Sequence, residues 1–348
     1  MVFPQSYSAV LLTALLSLVL GAIWALTIRP AGKWRFELMG IDFGLGVLLS
    51  ALLIGLSLGT FGEEITVGDN LMIMRKSSVG FLFGFGMLIN LGLLLLLASI
   101  AVAGLAVSFL AGLSMATVVG ALGMHLVQPF AGPLYLAVGS VLMLLCIAFA
   151  ARAHAARARQ RDTDLLQKAV AAGMKGKIQR TSPAKGLILA VAGGFLLGLA
   201  QPIGIWAQSR DEIGFGAYSI ATLYALAFAV GVPFFSLFLL NLPVQGEPIP
   251  FSAWFKGTGS QHLMGLAGGA LWFAGLTALL LAGTATPRAG IGRAPVFALS
   301  HASMLLGGIL GIVKQGEFAS PATARGQALI ALGLAAAGLI AYGVSPAN

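Results

Sequence analysis

Charge is what this sequence has least of. Asp, Glu, Lys and Arg make up 9% of 348 residues, against ~25% in a soluble domain. Hydrophobic residues make up 58% and the mean hydropathy is +0.96, so the natural solvent of most of the chain is lipid. Cysteine is nearly absent: the single Cys146 excludes an intrachain disulfide, and its apolar surroundings disfavour redox chemistry. No basic stretch precedes the first apolar run, and the first basic residue is Arg29. A cleaved leader would need such a stretch, so the run is expected to remain as a helix. There is no HExxH pair, no Cys/His cluster and no Walker A frame, which disfavours metal hydrolysis and ATP-driven transport within the chain. No cofactor, metal site or catalytic residue is expected.

What is there is a series of long apolar runs. A spanning helix takes ~20 residues, and the runs are of that length rather than the ~10-residue alternating segments of an outer-membrane barrel. Charged, Gly and Pro punctuation divides them into spans near 6–27, 41–59, 79–100, 104–126, 133–151, 185–208, 216–240, 262–283, 290–312 and 325–343. The expectation is an all-α polytopic membrane protein: residues 1–151 as one five-helix unit, a basic linker at 152–184, and 185–348 as a second five-helix unit. Glycine, 47 residues, is nearly twice its usual ~7% and suits helix backbones packed closely in lipid. Pairs at four-residue spacing, Gly80/Gly84, Gly194/Gly198 and Gly307/Gly311, serve either the bundle itself or a homodimer.

The net charge of +9 does not require nucleic acid, because the basic residues lie in the loops. With both termini outside, 15 basic residues fall on the inner face and four on the outer. The positive-inside rule then places the linker in the cytoplasm and both termini outside the cytoplasmic (inner) membrane. Five spans per half is an odd number, so homologous halves would cross in opposite senses, as in the inverted repeats of secondary transporters. Ala103-Gly104 with Ser114 and Ala116, and Ala289-Gly290 with Ser300 and Ala302, repeat at equal offsets.

The stretch Trp34-Arg35-Phe36-Glu37, then Asp42, Gly46, Leu58-Gly59, Asn90, the run from Ala103 to Phe109, and Gly112 resembles the bacterial relatives of plant ureide permeases. These are ten-span members of the drug/metabolite transporter superfamily, with rhamnose and glucose/ribose porters as cousins. The close match covers roughly residues 20–150. The second half agrees in layout and in Lys314-Gln315-Gly316-Glu317-Phe318. Leu110 stands where the family usually has Pro. The linker's Gly173-to-Lys177 stretch lacks the phosphate-loop frame described for the plant proteins, so nucleotide binding is not inferred. The resemblance implies two inverted repeats and transport of a ureide, a nucleobase or a sugar.

A solute site in such a bundle belongs near the midplane, where polar side chains face a cavity rather than lipid. His301, flanked by Ser300 and Ser303, reads either as a proton-coupling or solute-binding group or as a neutral structural imidazole. Ser114 is the expected symmetry mate of Ser300. Asn90 could read an amide, ureide or sugar hydroxyl, or bond a neighbouring helix. Gln201 precedes Pro202, whose missing N–H either kinks the sixth span or breaks it beside the cavity. Trp272 suits stacking on a solute; Trp24 and Trp206 fit an interfacial belt better. Asp42 reads as a helix N-cap or as an ion-coupling group, Arg293 as snorkelling to the outer interface, and Glu317 as an ion pair with Lys314.

The function these features fit best is secondary active transport, coupled to protons, of a small neutral polar solute, because the spans hold few charges to balance an ionic one. The partners are that solute, a proton or other ion, and membrane lipid. A non-transporting sensor or scaffold is the competing class. An intramembrane serine protease would draw on Gly55-Leu-Ser57-Leu-Gly59, a GxSxG match that lies inside an apolar run rather than at a strand–turn–helix elbow.

Overall fold

The computed structural model describes residues 1–346 except 33, 63–64, 173–181, 211–213 and 286–291. Ten of its helices are long and apolar enough to cross a membrane: α1 Tyr7–Thr27, α2 Phe36–Leu56, α3 Lys76–Ala103, α4 Leu105–Val127, α5 Pro133–Ala171, α6 Pro183–Ser209, α7 Ala217–Asn241, α8 Gly259–Ala285, α9 Arg293–Lys314 and α10 Ala322–Gly343. No strand occurs among the described residues. The chain is an all-α multi-pass membrane protein.

Local chemistry sets the boundaries. The Ser6 hydroxyl accepts from the Ala9 N–H to start α1, and Pro133 and Pro183 open α5 and α6, where a missing N–H costs nothing. Gly104 alone separates α3 from α4; its φ of +99° is a value that side chains disfavour. α2 begins at Phe36, five residues earlier than the sequence suggested, because its N-cap is Arg35 and Asp42 lies inside the helix. α5 is 39 residues long, so Arg152 to Ala171, read above as linker, continue the helix. The Gly173-to-Lys177 stretch, Arg288 and Ala289-Gly290 lie outside the described residues.

The packing maps onto itself when every helix is advanced by five. α5 packs on α10 and α2 on α7. The α1–α8 contact has its counterpart in α6–α3, α2–α8 in α7–α3, α1–α9 in α6–α4, and α4–α5 in α9–α10. Glycine meets glycine at both of one such pair of crossings: a Cβ on Gly275 would stand 3.0 Å from the Gly21 nitrogen, and one on Gly193 would stand 2.7 Å from the Gly92 oxygen. Gly194/Gly198 and Gly307/Gly311 likewise press on α4, whereas Gly80/Gly84 face open space. Large apolar side chains such as Leu53, Leu56, Phe234 and Phe238 point outward, as they do where the surrounding medium is hydrocarbon.

Candidate solute cavity

A cavity of about 110 Å³ lies between the halves, lined by α1, α3 and α4 of the first and α6, α8 and α9 of the second. These are the same three positions in each half. Two helices break beside it. α6 is interrupted at Leu199 and α9 at Ala302. The α6 break follows from Pro202, which has no N–H to give the Gly198 carbonyl four residues back, and Gly198 lines the cavity.

Four of the residues singled out from sequence converge here: Gln201, Trp272, Ser300 and His301. His301 stacks on Phe297, with centroids 4.1 Å apart, and its Nδ1 lies 2.9 Å from the Phe297 carbonyl oxygen. A carbonyl can only accept, so Nδ1 carries the hydrogen and the neutral ring presents Nε2 as a bare acceptor. A Cβ on Gly120 would lie 3.6 Å from both that Nε2 and the Gly198 oxygen, so α4 passes close to both groups. The Gln201 Oε1 and Ser300 Oγ are buried without a hydrogen-bond partner among the described residues. Among the described residues, no Asp, Glu, Lys or Arg lines the cavity.

Toward the linker end the cavity is closed by rings. Trp24 packs against Phe43 at 5.4 Å and Phe109 at 6.0 Å, and Trp272 packs against Phe43 at 6.1 Å and Phe228 at 5.3 Å. Trp24 is therefore a cavity wall rather than a belt residue; its indole N–H is spent on the Gly21 carbonyl, so it offers a face. Trp206 instead packs on Phe81, 4.8 Å away, and does not line the cavity.

Other expected residues lie elsewhere. Asn90 is buried between α3 and α7, its amide 3.5 Å from the Phe228 oxygen. Ser114 is buried among α4, α5 and α9, bonded to the sulfurs of Cys146 and Met304 at 3.4 Å each. Neither lines the cavity. Asp42 is a clamp between the halves near the linker end: its carboxylate accepts from Trp34 Nε1 at 3.0 Å, Trp254 Nε1 at 2.8 Å and His262 Nδ1 at 2.8 Å. Glu317 does not pair with Lys314. Its oxygens accept from the Leu105 and Ala106 N–H groups at 2.5 and 2.8 Å, capping the start of α4. Burial pushes its carboxyl above the usual carboxylate range, opposed by those two bonds and by Arg157. Arg293 is the first residue of α9, and the Ser57 hydroxyl is bonded to the Leu53 carbonyl at the end of α2.

Sequence reasoning missed Ser17 and Thr117, which line the cavity. Leu113, Ala116 and Thr117, all lining it, fall at i, i+3 and i+4 on α4. That stripe, rather than the offset match to Ser300, was the usable signal.

No family model and no curated protein matches this chain. A solved structure described only as "Crystal structure of protein" is similar over 97% of this chain and 96% of its own, with a TM-score of 0.52 and 19% identity. At that identity the likeness is one of fold alone.

Proposed function

We propose that this chain is a secondary transporter of the cytoplasmic membrane, a ureide-permease-like member of the drug/metabolite transporter superfamily. It moves a small neutral polar solute by alternating access between two inverted five-helix repeats, residues 1–151 and 185–348, with both termini outside. The observation that carries this reading is the uncharged cavity shared by equivalent helices of the two halves. Its polar lining offers both kinds of partner: His301 Nε2 as an acceptor, the Gln201 amide as acceptor and donor, and the Ser17, Ser300 and Ser303 hydroxyls able to act either way. A fitting solute brings donors and acceptors together with a flat face for Trp24 and Trp272, which favours a ureide or nucleobase over a sugar. His301, the cavity's titratable group, is the natural proton carrier for symport. A cavity at the midplane also favours transport over the sensor or scaffold reading.

The test is uptake of labelled allantoin, uracil, L-rhamnose and D-glucose into proteoliposomes under an inward proton gradient. Saturable uptake of one of them is expected, abolished by His301→Ala and reduced roughly tenfold or more by Gln201→Ala, the scale of one lost hydrogen bond in a dry site. If none of the four solutes moves in folded protein, in either direction, the substrate class is wrong. If His301→Ala leaves gradient-driven uptake intact, the coupling role is wrong.

A further inference from the structure

α5 outruns the membrane. At ~1.5 Å per residue its length is roughly 58 Å, and a hydrocarbon core of ~30 Å is crossed in ~20 residues. Counted from Pro133, the core ends near residue 153, and the next two turns sit at the depth of lipid phosphates at the linker end. Those turns carry His154, Arg157 and Arg161, which share one helix face at i, i+3 and i+7.

That face borders a pocket of about 230 Å³, walled by residues 100–104 at the α3–α4 junction and by Ser182-Pro183 at the start of α6, with Asp162 at its edge. Three features make it a site for an anion. Two guanidinium groups face one lining carboxylate, and the nearby Glu317 already spends both oxygens on backbone N–H groups. Arg157 lies over the Phe318 ring, 5.7 Å from its centroid, and is held toward the pocket without an ion pair among the described residues. The 16-residue α-helix that opens α6 begins here with no side-chain cap hydrogen bond among the described residues, so the positive end of a helix dipole lies at the pocket wall. Independently, His154 is only 8% exposed, lines the pocket and has an Nδ1 with no hydrogen-bond partner among the described residues.

We propose that this pocket binds the phosphate of an anionic membrane lipid, Arg157 and Arg161 pairing with its oxygens beside the buried imidazole of His154. Basic pockets between spans at the cytoplasmic surface hold lipid headgroups by this chemistry. A free phosphate would meet the same groups, and depth is what favours the lipid. Because the pocket wall includes Gly104 and adjoins the Glu317 cap, a bound headgroup steadies the hinge between α3 and α4.

The experiment measures lipid retention by native mass spectrometry of the full chain in neutral detergent, with phosphatidylglycerol and phosphatidylcholine at equal concentration. The wild type is expected to retain phosphatidylglycerol on the order of tenfold more strongly, at ~1 kcal/mol per basic side chain near the surface. Arg157→Gln with Arg161→Gln should erase the preference, and the matching pair of Lys substitutions should restore most of it. Arg152→Gln with Arg159→Gln, exposed residues outside the pocket lining, should keep it. Equal retention of the two lipids, or equal loss in the Arg152/Arg159 pair, would overturn the proposal. Displacement by millimolar inorganic phosphate would overturn the lipid source and reassign the pocket to a soluble phosphate. Nothing in this readout depends on transport, so its failure is separable from failure of the transporter reading.

Discussion

The two ends of the bundle are fastened differently. At the linker end the halves are tied by carboxylates: Asp42 holds Trp254 and His262 across the boundary, and Glu317 holds the start of α4. Arg35 adds a bidentate pair with Glu37 and reaches the Gln245 and Glu247 carbonyls. At the termini end the corresponding bonds are neutral. Asn70 donates to the Gly214 carbonyl at 3.1 Å and accepts from the Gly216 N–H at 3.0 Å; Tyr218 donates to the Val2 carbonyl, and the Gly132 N–H to the Ser345 hydroxyl. On the proposed transporter reading, the linker side is held shut by hydrogen bonds to carboxylates and the termini side by neutral hydrogen bonds.

The largest effect should come from Asp42→Ala. It leaves two indole N–H groups and an imidazole without their acceptor, and each hydrogen bond to a charged group is worth ~1.5–3 kcal/mol. Losing even one shifts the closed-to-open ratio about tenfold. With Ser300→Cys as a cavity reporter in a Cys146→Ala background, labelling by a membrane-impermeant thiol reagent added from the linker side should rise at least about tenfold. An unchanged rate would show that the aromatic layer alone is the gate. Asn70→Ala is the matched test at the other end. It removes two neutral bonds of ~1 kcal/mol each and should raise labelling from the termini side by several-fold, less than Asp42→Ala does from the linker side. An equal or larger effect would break the contrast.

The parts of this arrangement readable in the sequence were those encoded locally. Ten spans were legible because each is a run long enough to cross lipid, and the α6 break because Pro202 lacks a donor for Gly198. The α5 extension was read as a linker on its charge, although Ala, Arg, Gln and Leu from 152 to 171 are strong helix formers. The Asp42 clamp was illegible for a different reason: Trp254 and His262 lie more than 200 residues away, and a single sequence carries no signal that pairs them. Asp42 was instead fitted to the nearest local rule, an N-cap, which α2 already fills at Arg35. Ser114 was chosen by matching offsets between halves, which ignores that one residue turns a helix by 100°; Thr117, three residues on, is the side chain that faces the cavity.

The smallest expected effect concerns Glu317, and its sign distinguishes a clamp that is merely polar from one that titrates. Burial raises its folded carboxyl above the ordinary value of 4.5, so between those two values the folded chain binds more proton than the unfolded chain. Stability from this group is therefore fully present below pH 4.5 and falls as pH rises through the raised folded value. The unfolding temperature in detergent, followed upward from pH 4.5, should show that decline in the wild type and a flatter profile in Glu317→Gln. The Gln variant has one carbonyl acceptor for the Leu105 and Ala106 N–H groups, as the protonated carboxyl does, so its stability should match the wild type at the acid end. A wild-type profile that instead climbs through the same window would mean that the two N–H bonds and Arg157 outweigh burial. Glu317 would then be held ionised by its cap on α4.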